Sequence, residues 1–244
     1  MYYAIGRVIP KQPELLNSIA GLVYAVATAV VVFIILRTTK VSVPSVMKGQ
    51  SGVKQVFYWA CGIILIAFTF LAVDVIENAL SVFDLLDTSI SAFWTMTFTA
   101  CKAGIFEEFL TRGLLFDIFH AFTARSRFTL LWSSLGNSAI FASMHLMNII
   151  TVGQSVESTL QQVLYTFAMG LTFSFLRVLS NGLSLGAVVH AIVDFQVTIT
   201  GPTRSGDWRA IVVMSAAWFI PAVLLLAFMP ARKHVNETAK LAKE

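Results

Sequence analysis

Apolar residues gather into runs near 15–36, 56–76, 90–110, 129–149, 158–178, 183–200 and 209–229, separated by charged residues, Gly or Pro. A bilayer core about 30 Å thick takes roughly 20 apolar residues as a helix, so each run predicts a membrane span. The pattern predicts an all-α integral membrane protein, a bundle of about seven (six to eight) transmembrane helices with an intramembrane polar site. Residues 1–244 then form a single polytopic membrane domain, with no room for a sizeable soluble one. The run from Leu15 to Leu36 is too long for a signal-peptide core and reads as the first span. From Arg37 to Lys54 the chain turns polar, with Pro44, Gly49 and Gly52 as breakers, which predicts a loop. Helical character in the third run continues from Ile90 to Ala121, 32 residues or about 48 Å, too long for one perpendicular span. Its second half carries Arg112, Asp117 and His120, so those turns either leave the hydrocarbon or line a wet cavity.

Composition strengthens the membrane assignment, because 57% of residues are hydrophobic and 12% charged, against about 25% charged in a soluble domain. A net charge of +4 could suggest nucleic acid, but the basic residues sit at the ends of apolar runs, where topology explains them. With the N-terminus outside, eleven Lys/Arg face the cytoplasm: Arg37, Lys40, Lys48, Lys54, Arg125, Arg127, Arg177, Arg232, Lys233, Lys240 and Lys243. Four, Arg7, Lys11, Arg204 and Arg209, face outward. The split predicts N-out and C-in topology in a cell membrane, and short loops point to a bacterial one. Cys61 and Cys101 lie inside apolar runs as small hydrophobes, giving no disulfide framework and no Cys-based metal site. No cofactor is expected.

Ionisable residues inside such helices are costly and usually face a cavity or a partner. In Lys102-Ala-Gly-Ile-Phe-Glu-Glu-Phe-Leu-Thr-Arg112, Glu108 and Arg112 are four apart on one face and can pair. Glu107 is rotated by about 100° and left for another task. This segment alone is equally compatible with a structural Glu–Arg pair. Phe141 and His145 share a face at i,i+4 in the next run. Glu107 lies 18 residues before Arg125 and His145 18 after Arg127, each about 27 Å from the same turn, so the two can face each other. His190 and Asp194 form a third i,i+4 pair. His190 is only nine residues past Asn181, so reaching the same height requires a tilted helix or a dipping loop, which Gly182 and Gly186 permit. His120 and His234 fall outside this group.

The order Glu-Glu-x-x-x-Arg at 107–112, Phe-x-x-x-His at 141–145 and His-x-x-x-Asp at 190–194 resembles the CAAX prenyl endopeptidase and bacteriocin-processing (Abi) family over about residues 100–200. The resemblance implies a metal-independent glutamate peptidase in which Glu107 activates water, His145 assists, and His190 and Asp194 stabilise the oxyanion, with Glu108, Arg112 and Phe141 in support. The family commonly has Asn where this chain has Asp194, which donates a hydrogen bond only when protonated; its alternative role is to orient His190. Expected partners are the lipid bilayer and a peptide or membrane-protein substrate arriving from the membrane or cytosol, of prenylated, bacteriocin or pheromone type, and no nucleic acid. Three other readings use the same residues: a zinc site on Glu107, His145 and His190, a non-proteolytic scaffold or bacteriocin-immunity protein, and an ion-coupled transporter, which predicts an internal repeat not found here.

Overall fold

The computed structural model describes residues 12–39, 53–199 and 201–229, and every regular element among them is helical. Helix α1 spans Gln12–Thr39, and α2 (Val53–Ala72) is followed by α3 (Val75–Phe83) and the single turn α4 (Leu85–Thr88). A long helix begins as α5 (Ile90–Glu108), widens into a π-helical segment at Phe109–Leu115 and ends as α6 (Phe116–Thr123). Then come α7 (Thr129–Met144), a tight 3₁₀ turn (His145–Met147), α8 (Asn148–Thr151), α9 (Val156–Ser180), α10 (Ser184–Val193) and α11 (Trp208–Phe228).

Helix α9 is the axle of the bundle. Leu171, Phe173, Phe175, Leu176 and Leu179 are fully or almost fully buried, and they pack with Trp218, Ala222 and Leu226 of α11 and Leu65 of α2. Inside this apolar packing, Trp218 Nε1 donates to Thr69 Oγ1 at 2.9 Å. Asn137 of α7 donates to Ser174 Oγ at 3.2 Å. Such bonds hold helices together where lipid offers no hydrophobic driving force between them. The perimeter is apolar in the opposite sense: α1 presents Val23, Tyr24, Val30, Val31 and Ile34 outward, and α11 presents Val213, Leu224 and Phe228. A contiguous apolar exterior of this extent suits hydrocarbon and not water.

This is an all-α membrane protein. Length and composition qualify fewer than the expected seven helices: α1, α9 and α11 qualify singly, and α2 with α3–α4 qualifies as a pair bent by 57°. The bend falls at Asp74, whose φ of 49° is left-handed, and Asn78 Nδ2 caps the released Val73 carbonyl at 2.7 Å. The other expected spans fall short for physical reasons. Helix α5 carries Lys102, Glu107 and Glu108, α7 has 16 residues, and the run 183–200 is helical only over the 10 residues of α10. The long third helix is present and extends to Thr123; its π-helical interruption had no counterpart in the apolar pattern.

Glycines set the helix directions. Gly21 of α1 lies against Lys102, and Gly113 lies against Val32 and Leu36, so α1 runs parallel to the long helix. Arg37 therefore reaches the same end of the bundle as Arg125 and Arg127. Arg177, expected at the surface of that end, is instead buried and donates from Nε to the Arg112 carbonyl at 3.2 Å, 3.9 Å from Asp117. Arg7, Lys11, Lys40, Lys48, Arg232, Lys233, His234, Lys240 and Lys243, the Lys54 side chain and most of the expected 37–54 loop lie outside the described residues.

Candidate active site

Small residues bring α5 and α10 together. A Cβ on Gly104 would stand 2.5 Å from the Ala187 carbonyl and 2.9 Å from the Ala191 Cβ, and one on Gly186 would stand 2.9 Å from Glu108 Oε2. This near-contact of backbones lets a histidine on a short helix reach a carboxylate on a long one. Asn181, in the left-handed conformation with φ 49°, ends α9 and turns the chain so that α10 folds back against it. His190 thus reaches the site from a short helix that follows this turn, where the sequence suggested a tilted helix or a dipping loop.

The expected Glu108–Arg112 pair is formed at 3.0 Å, with both side chains essentially inaccessible. Both terminal nitrogens of Arg112 are held, while its buried Nε has no hydrogen-bond partner. Nη1 also donates to Thr111 Oγ1 at 2.7 Å and Nη2 to the Gly170 carbonyl at 3.1 Å. The guanidinium lies 4.3 Å over the Phe141 ring and 5.3 Å from the Phe173 ring. Gly170 is needed here, since a Cβ would come within 2.9 Å of Nη2. Thr111 in turn donates to the Glu107 carbonyl, which ties the backbone of one glutamate to the cation that holds the other. All of this sits where the helix widens into π geometry, a distortion common at functional sites.

Glu108 Oε1 has a second partner, His190 Nδ1 at 3.0 Å. A carboxylate already bound to Arg acts as an acceptor, so Nδ1 carries hydrogen and the tautomer is set through Nδ1. The ring stacks on Phe173 with centroids 4.9 Å apart and meets the edge of Phe141 at 5.9 Å. Nε2 is left facing two other acids, Glu107 Oε2 at 3.6 Å and Asp194 Oδ2 at 3.5 Å. These are the accessible members: Glu107 is 26% and Asp194 24% exposed, against 4% for His190 and 1% for Glu108. One carboxylate is sealed behind the imidazole and two line the open side.

His145 occupies the end of α7, its Nδ1 at 3.2 Å from the Phe141 carbonyl and its ring perpendicular to Phe141 at 5.2 Å. It therefore shares Phe141 with His190. Among the described residues no hydrogen bond joins it to Glu107, the partner that the hairpin geometry suggested. Nor do any three His, Cys, Asp or Glu side chains among them come together as a metal-binding group. Phe173, Gly170, Gly104 and Thr111 complete the site without a sequence signal of their own; only Gly186, next to the third motif, stood out beforehand.

Fold and site together define a helical membrane protein with an acid–histidine centre buried among its helices. Residues 89–196 match the family model described as type II CAAX prenyl endopeptidase Rce1-like, a match that supports membership of that family. The match runs from α5 through α10, the elements that build the site. No curated protein and no solved structure matches the chain.

Proposed function

We propose that the protein is an intramembrane endopeptidase that hydrolyses a peptide bond with water activated by Glu107, without a covalent enzyme intermediate. The observation that carries this reading is the division of His190: Nδ1 is occupied by the Glu108–Arg112 pair, while Nε2 faces Glu107 and Asp194 across 3.6 and 3.5 Å. Separations of this size suit a bridging water better than a direct hydrogen bond. Glu107, the accessible glutamate, takes a proton from that water as it attacks the carbonyl carbon, and later returns it to the leaving amine. His190, held rigidly by Glu108 and Phe173, donates from Nε2 to the developing oxyanion in its imidazolium form, which carries hydrogen on both ring nitrogens; such a contact is worth roughly 2.7–4 kcal/mol. His145, on the far side of Phe141, assists by holding substrate or water. Since Glu108 already orients His190, Asp194 is free to act on the substrate from its protonated form.

The whole chain is read as one polytopic domain in a cell membrane, with α5 and α7 embedded beside the longer spans. N-out, C-in topology agrees with Arg37, Arg125 and Arg127 sharing one end of the bundle. At that end the site is closed by buried Arg112, Phe116 and Arg177. Substrate accordingly arrives laterally from the membrane, or from the opposite end, where Asp194 and His145 lie, which in this topology is the outer face and not the cytosolic one expected from the sequence. The family description makes a prenylated C-terminal peptide the first class to try. The purified chain in lipid nanodiscs, given farnesylated and unmodified CAAX-type peptides in the presence of a chelator, should release a C-terminal fragment detectable by mass spectrometry. Absence of cleavage together with tight binding of the intact peptide would favour the scaffold reading instead.

A further inference from the structure

A second buried acid and cation lie toward the Arg125 end of the long helix and take no part in the chemistry proposed above. Arg177 of α9 and Asp117 of α6 are both buried, with Arg177 Nη2 3.9 Å from Asp117 Oδ1, and neither Asp117 oxygen has a hydrogen-bond partner. Desolvating two ions offsets most of their attraction, so a loose pair of this kind adds little net stability. Its geometry is more informative. The same guanidinium donates from Nε to the Arg112 carbonyl at 3.2 Å, and so contacts residues 112 and 117 together. In the π-helical segment the Phe116 N–H reaches back to the Thr111 carbonyl, whereas an α-helical bond would go to the Arg112 carbonyl, one residue nearer. Arg177 brings a side-chain donor to the carbonyl that this bond passes over. Helix α9 therefore grips Arg112 twice: the Gly170 carbonyl accepts from its Nη2 at 3.1 Å, and Arg177 donates to its backbone. The two holds are about two helical turns apart, or about 10 Å along α9, and Phe173, which stacks on His190, lies between them.

We propose that Arg177 and Asp117 are positioning residues for the Glu108–His190 centre: Arg177 sets the rotation of the π-helical segment through the Arg112 carbonyl, and Asp117 orients Arg177. As far as it concerns rate, the inference rests on the peptidase reading, to which it adds two residues that never meet substrate. Held at one point, the segment could turn about its axis. Held at two, it keeps three groups in register with α9: the Arg112 side chain, Glu108 bound to it at 3.0 Å, and His190 Nδ1 bound to Glu108 at 3.0 Å. Glu107 is carried along, since Thr111 of the same segment donates to its carbonyl.

The test compares the full chain in nanodiscs with three variants. Arg177→Lys keeps a cation for Asp117 but has a methylene where Arg has Nε, so it loses the donor to the Arg112 carbonyl. Two double variants remove both ions, which avoids leaving one buried and unpaired. Asp117→Asn with Arg177→Gln retains an N–H donor at the Nε position, and Asp117→Asn with Arg177→Met fills a similar volume without one. With a fluorogenic farnesylated CAAX-type peptide, Arg177→Lys and the Met double should lose about 10²-fold in kcat with KM nearly unchanged, and the Gln double should stay within about three-fold of the wild-type protein. A merely structural role would make kcat follow unfolding temperature and would not separate the two doubles. Wild-type kcat in Arg177→Lys refutes the proposal, as does a Gln double no faster than the Met double, or no faster than Arg177→Lys if the Met double does not fold. If the wild-type protein fails to cleave, the peptidase reading is what fails. The ¹⁵N resonance of His190 Nδ1 in histidine-labelled protein, assigned by its loss in His190→Gln, then decides the positioning: displacement in Arg177→Lys with retention in the Gln double supports it, and any other pattern overturns it.

Discussion

Gly104→Ala adds one methyl group 15 residues along from Ser89, the N-cap of α5, and touches no group that meets substrate. The new Cβ would stand 2.5 Å from the Ala187 carbonyl oxygen and 2.8 Å from the Ala191 nitrogen, where ordinary contact begins at 3.4 Å. Both neighbours are backbone atoms of α10 and cannot swing aside, so the helices must part by about 1 Å, and overpacking of this kind costs about 1–3 kcal/mol. The same displacement takes His190 Nδ1 from 3.0 Å to about 4 Å from Glu108, beyond hydrogen-bonding range. A misplacement of about 1 Å can lower a rate about 10²-fold. The assay is peptide cleavage and thermal unfolding in the same nanodiscs, with Gly182→Ala as the control, because its nearest neighbour lies 3.8 Å away. A Gly104→Ala protein with wild-type rate and stability would refute the claim that close α5–α10 contact sets the histidine.

Arg112→Ala leaves Glu108 buried without its cation, which costs about 3–5 kcal/mol; a fall in unfolding temperature with loss of cleavage is expected, and an unchanged unfolding temperature would contradict the buried pair. Asp194→Asn should keep cleavage within a few-fold of wild type, because Glu108 and not Asp194 holds His190 Nδ1; a loss of about 10²-fold in a folded variant would return the orienting role to Asp194. Trp218→Phe removes the bond to Thr69 far from the site and should lower stability by about 1 kcal/mol without moving kcat. Dialysis against a strong chelator should leave cleavage intact, whereas a loss restored by stoichiometric zinc would favour metal chemistry.

The membrane character and the Glu108–Arg112 pair were legible because each follows from spacing: apolar runs of span length, and two charges one helical turn apart. At α5, α7 and α10 the apolar runs do not by themselves mark spans, because apolar runs mark what is buried in protein as well as what faces lipid. The short α10 packs against α5 through Gly104 and Gly186, and protein contact of this kind is apolar too. The i,i+4 rule also suggested that Asp194 would be the principal partner of His190. It describes neighbours on one helix and cannot anticipate that α5 delivers Glu108 to the other ring nitrogen. The π-helical turn at Phe109–Leu115 was equally hidden, since the residues that stabilise it, Gly170 and Arg177, come from α9.

The most direct test of the account is the single-turnover cleavage rate of Glu107→Gln beside the wild-type protein, measured on equal amounts of folded material with equal peptide affinity. Gln keeps the size and polarity of the side chain but cannot accept a proton from water, so the rate should fall about 10²-fold or more. A Glu107→Gln protein that cleaves within tenfold of wild type would contradict the assignment of Glu107 as the base.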